Sequence, residues 1–126
     1  MRAVDTNVLV RLLARDDARQ AEGADAFVEP GAWVSVVVLV EATWVLGTVY
    51  ERDARQIALA IEMLLNHRSL VLQHAEAVQA ALHVFRRRPA LGFSDCLVVE
   101  LARAAGHLPL GTFDRALGKL EGTATL

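Results

Sequence analysis

The sequence predicts an α/β fold in which a central, mainly parallel sheet is flanked by helices. Two observations predict it. Short β-rich runs alternate with helical stretches along the chain, at a spacing that suits parallel strands covered on both faces. The 126 residues are 54% hydrophobic, with no repeat, low-complexity tract or linker, which fits one domain (1–126) with a single sizeable core.

Arg2 to Asp5 reads as a first strand and Asn7 to Ala14 as a helix, with Asp5 or Thr6 near its cap. Asp17 caps a second helix that runs to about Val28, where Pro30-Gly31 ends it. Trp33 to Val36 is the second strand. Val37 to Tyr50 is apolar nearly all round and suits a buried helix. Asp53 caps the next helix, which presents Ile57, Ile61, Leu64 and Leu65 and ends near Asn66. Leu70 to Leu72 is a third strand, and Ala75 to Arg87 a helix stopped before Pro89. Ser94 opens another, with Leu97, Val98, Leu101 and Ala105 on one face and Gly106 as its stop. Leu108 to Thr112 is a fourth strand, Asp114 to Leu120 a short helix, and Thr123 to Leu126 a last strand.

The net charge is −2, so no global basic field draws the chain toward nucleic acid or membranes. A lone cysteine, Cys96, excludes an intramolecular disulfide and suits a reducing, cytoplasmic setting. The apolar run after Arg2 is broken by Asp5 and Arg11, unlike a signal peptide, and no apolar stretch is long enough to span a bilayer.

Four carboxylates stand out. Asp5 follows the first strand and Asp114 the fourth, and the carboxyl ends of parallel strands are where ligands collect in such sheets. Asp95 falls in the first turn of its helix, on a face with Val98 and Ala102 that is expected to point inward. Glu41 is the sole charged residue between Gly31 and Tyr50, and shares a helical face with Val37, Trp44 and Val45. It is expected to be buried with a partner or to look into a polar cleft.

Each acid has an ordinary explanation. Asp5, Asp95 and Asp114 all stand where a helix cap belongs, and Glu41 could be paired with an arginine. Together they ask for more, because converging carboxylates repel one another. A hard divalent cation removes that cost. Mg2+ or Mn2+ takes oxygen ligands, often few carboxylates completed by water and phosphate.

The segments VDTNVLVRLL, SVVVLVEATWVL, GFSDCLVVELARAAG and LGTFDRAL, in this order and spacing, resemble the PIN-domain ribonucleases, and among them the VapC toxins of bacterial toxin–antitoxin pairs. The resemblance covers essentially the whole chain. It implies a three-layer fold and a Mg2+- or Mn2+-dependent endoribonuclease that hydrolyses RNA with a metal-activated water, leaving a 5′-phosphate and a 3′-hydroxyl. Asp5, Glu41, Asp95 and Asp114 match the family's four acids, with Asp5, Asp95 and Asp114 as metal ligands. Thr6, Asn7 and Thr112 match positions that support them. Implied partners are RNA, a small cognate antitoxin and a second copy of the chain, with the apolar helices Val37 to Tyr50 and Ile57 to Leu65 leaving room for an interface. Arg115-Ala116-Leu117 supplies none of the further acids that some relatives carry there, which argues against a second well-held metal.

With a mildly acidic chain, RNA must be held by local arginines: the cluster Arg86, Arg87 and Arg88, and Arg11, Arg15 and Arg115 near the motif segments. The cluster reads equally as a solvated helix C-terminus favoured by the macrodipole. His67, His74, His83 and His107 show no ligand spacing and read as surface or loop residues. Trp33, Trp44, Phe27 and Phe85 read as core, and Cys96 as a small buried apolar residue.

Two other readings are a PIN-like scaffold that binds without turnover and a magnesium phosphohydrolase with Asp5 as nucleophile. The second wants an aspartate where Asn7 stands. A phosphorelay receiver would need a strand-end acid that Leu70 to Gln73 lacks.

Overall fold

The computed structural model describes every residue, Met1–Leu126, and its contacts cluster into two compact units, Met1–Ala75 and Glu76–Leu126. Each sheet belongs to one unit.

The first unit runs β1 (Arg2–Ala3), α1 (Thr6–Ala14), α2 (Ala18–Val28), β2 (Ala32–Val34), α3 (Val36–Thr48), α4 (Ala54–Asn66) and β3 (Leu70–Leu72). The strands are parallel in the order β1-β2-β3, with Ala3 opposite Trp33 and Trp33 opposite Val71. Asp5, Asp17 and Ser35 cap α1, α2 and α3, each side chain accepting an N–H three residues on. Asp53 and Gln56 form a reciprocal capping box on α4, at 2.8 and 2.9 Å. Helix α1 packs on α2 and α3, and Leu9, Val28, Val34, Leu39 and Ile61 form the innermost layer.

The second unit begins within α5 (Ala75–Arg87) and continues through a 3-10 turn (Pro89–Leu91), α6 (Phe93–Ala105), β4 (Leu110–Thr112), a second 3-10 turn (Leu117–Lys119) and β5 (Thr123–Thr125). Strands β4 and β5 are parallel, with Leu110 opposite Thr123. Val78, Leu82, Phe85, Phe93, Leu97 and Val99 make its core, and the Phe85 and Phe93 rings meet edge to face at 6.0 Å.

All neighbouring strands are parallel, as the alternation predicts. Several local expectations are corrected. Helix α6 opens at Phe93, not Ser94, because Gly92 takes φ 81° and turns the chain out of the preceding 3-10 turn. The helix expected from Asp114 contracts to a single turn over Leu117–Lys119, and β4 begins at Leu110, not Leu108. Trp33 and Trp44 are 37% and 64% exposed, so they are not core residues, whereas Phe85 is buried. Half-buried Phe27 carries the guanidinium of Arg2 on its ring face, 3.8 Å from the centroid. No helix is long and apolar enough to cross a membrane.

Candidate functional site

In the first unit Asp5 stands between β1 and α1. Its backbone is extended (φ −95°, ψ 178°) and one carboxylate oxygen accepts the Val8 N–H at 3.2 Å. The side chain is exposed, because the helix start that it caps faces solvent. The other oxygen is left available.

Glu41, on α3, is also exposed, and so are Val37 (71%) and Trp44 (64%) on its face. An apolar helix offers no polar face to mark its outer side; here the lone acid marks it. No basic group pairs with Glu41, which removes the buried ion pair as its explanation.

The start of α3 is held from the end of β3, where Gln73 Oε1 accepts the Val36 N–H at 3.0 Å. That N–H precedes the first intrahelical bonds and would otherwise lack a partner. Sequence reasoning passed over Gln73, and no local pattern announces a bond across 37 positions.

In the second unit Asp95 stands in the first turn of α6 and Asp114 follows β4. Asp114 Oδ1 accepts the N–H groups of Ala116 and Leu117 at 2.8 and 3.1 Å, while its own N–H donates to Thr112 Oγ1 at 3.0 Å. Thr112 therefore anchors the backbone that carries Asp114, through its N–H and not through its carboxylate. Burial, and then the charge of Asp114, raise the Asp95 carboxyl above its ordinary range. The face of Asp95 is more open than expected: Val98 is 47% exposed, and the buried side of α6 is Phe93, Cys96, Leu97 and Val99. The Cys96 thiol is pushed up to about 11, by burial first and then by Asp95 and Glu100, so it stays a protonated packing residue.

None of the four acids is in a salt bridge. The structure brings Asp95 and Asp114 into each other's field, but nowhere are three or more His, Cys, Asp or Glu side chains grouped so as to hold a metal ion. A hard cation nonetheless fits the pair. Two carboxylates without a basic partner, one made reluctant to ionise by burial and then by the other's charge, are the donors that Mg2+ takes when water and phosphate complete its shell.

The supporting residues divide. Thr6 is half-buried at the start of α1. Asn7 lines a cavity of ≈ 470 Å3 with Arg11, Gln20 and Phe27. Arg11 and Arg15, expected to be open to RNA, are engaged: Arg11 bonds Asp16 at 3.0 Å and Tyr50 Oη at 3.1 Å, and Arg15 grips Asp25 with two bonds of 3.0 and 2.7 Å. Such exposed pairs stabilise little and can be exchanged for another anion. Arg86, Arg87, Arg88 and Arg115 are exposed, as are His74, His83 and His107; His67 accepts the Ser69 N–H through Nδ1. Phe113, beside Asp114 and 82% exposed, is an aromatic that the sequence reading missed, although it lies inside one of the quoted segments.

No curated protein matches the chain in a sequence comparison. The family model for the PIN domain matches residues 2–122, across both units. PIN domains are generally nucleases, hydrolases of nucleic acid that use divalent metal ions. On that match, and with an α/β fold of six helices and parallel strands, the chain belongs to the PIN-domain family.

Proposed function

We propose that this chain is a metal-dependent endoribonuclease, the toxin component of a cytoplasmic toxin–antitoxin pair, and that residues 1–126 act as one domain. The observation that carries the reading is the Asp95–Asp114 pair: Asp95 resists ionisation through burial and then the charge of Asp114, and neither carboxylate has a basic partner. Asp5, Asp95 and Asp114 are assigned as ligands of Mg2+ or Mn2+, and Glu41 as the fourth catalytic acid. When bound, such a cation acidifies water and offsets charge on phosphoryl oxygens.

The chain's own residues do the rest. Asp114 is aimed by the Thr112 hydroxyl and by two N–H groups on one of its oxygens, which leaves the other for a ligand. Asp5 likewise gives one oxygen to the α1 cap, and the other is assigned to the metal. Glu41, unpaired and exposed, is free to take a proton from water. No side chain serves as nucleophile, since the Cys96 thiol is buried and protonated.

Two partners besides RNA belong to this reading. One is a small antitoxin protein that silences the enzyme. The other is a second copy of the chain, supported by the exposed apolar residues Leu59 and Met63 on α4.

The test is incubation of the purified chain with structured RNA and, separately, DNA of the same sequence, in Mg2+, Mn2+ or EDTA, followed by end mapping. Discrete RNA fragments with 5′-phosphates, formed only with metal, are expected. Absence of any cleavage while metal and RNA both bind would favour the scaffold reading.

A further inference from the structure

The second unit holds a concentration of positive charge that the four acids do not explain. A cavity of ≈ 270 Å3 is lined by Arg87 and Arg88 from the end of α5, Arg103 from the last turn of α6, and Lys119 from the 3-10 turn. Its other walls include the aliphatic Val84 and Leu120, and Glu121 is the one acid among them. Four cations therefore face one anion, in a chain whose net charge is −2.

Arg103 is fixed in place. Its Nη2 donates to the Glu121 carbonyl at 2.9 Å and its Nε to Glu100 at 3.4 Å. The side chains of Arg87, Arg88 and Lys119 make no hydrogen bond or ion pair. Helix macrodipoles favour a cation at each helix end, but each end supplies only about half a negative charge. Two such ends, with Glu121 in the wall and Glu100 paired to Arg103, leave an excess of roughly one positive charge in the cavity. Nor does a dipole explain why two helix ends and a separate turn open their cations onto the same space.

The size limits the occupant. The cavity falls below the roughly 300–1,000 Å3 of clefts that enclose whole drug-sized ligands. It has no aromatic ring to stack on a base and no amide to read one. What remains is a compact anion met by guanidinium forks, with aliphatic walls against a sugar.

We propose that this cavity binds a backbone phosphate of the RNA substrate, as an anchoring site additional to the four acids. The proposal rests on the ribonuclease reading for the identity of the strand, and its test does not require cleavage. The affinity of the full chain for a fluorescent single-stranded RNA is measured in EDTA over a range of salt, beside Arg87→Gln/Lys119→Gln. Arg19→Gln/Arg55→Gln, both exposed in the first unit, serves as a control of equal charge.

The cavity variant should bind about tenfold more weakly, with a salt slope shallower by roughly 0.7, the value for one phosphate on a single strand. The control should follow the wild type. Thermal melts establish that both variants are folded. Unchanged affinity and slope in the cavity variant, or equal loss in the control, would overturn the proposal, as would a wild type that binds no RNA. Orthophosphate binding to the cavity with RNA affinity unchanged in the variant would also overturn it. Loss confined to the cavity variant in a protein that never cleaves would uphold the anchor and remove the nuclease instead.

Discussion

Asp95, in the first turn of α6, lies in the field of Asp114, which follows β4, and neither carboxylate has a basic partner. A folded chain gains nothing from that arrangement. Burial and like charge both oppose ionisation of Asp95, at the expense of the folded chain's stability near neutral pH.

Asp95→Asn should therefore raise the melting temperature of the metal-free chain at neutral pH while reducing cleavage by about 10²-fold or more. The sign follows from linkage. A carboxyl whose folded pKa is raised above its ordinary 3.8 holds its proton longer in the folded state, so stability falls as pH rises through that window. The advantage of the asparagine should shrink as pH is lowered toward 3.8, where the wild type is protonated too. Calorimetric melts over a pH series check both statements.

Gln73→Ala should cost about 1–2 kcal/mol in chemical denaturation, because it leaves the Val36 N–H without its acceptor at a half-buried helix start. Gln73→Glu keeps an acceptor in place and should recover most of the loss. A neutral alanine variant would mean that water replaces the amide at no cost.

Leu59 and Met63 lie one turn apart on α4, 55% and 57% exposed. If they form the contact between two copies, light scattering should give twice 13.7 kDa for the wild type and 13.7 kDa for Leu59→Asp/Met63→Asp. A wild type that is monomeric at every concentration would remove the dimer.

Much of this was legible in the sequence where the governing chemistry is local. Asp17 and Asp53 cap the helices assigned to them, since a cap depends on residues within one turn. Gly106 ends α6 in the left-handed conformation, as a glycine after a helical run should. The start of α6 was not legible, because periodicity sees Ser94 but not the positive φ of Gly92. The outward turn of Trp44 was hidden for a different reason. Helix α3 is apolar on every side, and only tertiary packing decides which side meets the core. Asp5 shows a third case: apolar neighbours in sequence do not fix its burial, since Val4 is buried and the next residue is exposed.

The motifs located the acids, while their state came from the structure. That Asp95 feels the charge of Asp114 depends on the fold, as does the engagement of Arg11 and Arg15 with acids of the first unit.

The most direct test is a calorimetric titration of Mn2+ into the wild type, Asp95→Asn and Asp5→Asn, all shown by thermal melts to be folded. Saturable binding in the wild type, weakened at least about tenfold in each variant, is the predicted result. Equal binding in all three, or no binding in the wild type, would contradict the assignment of these carboxylates to a metal.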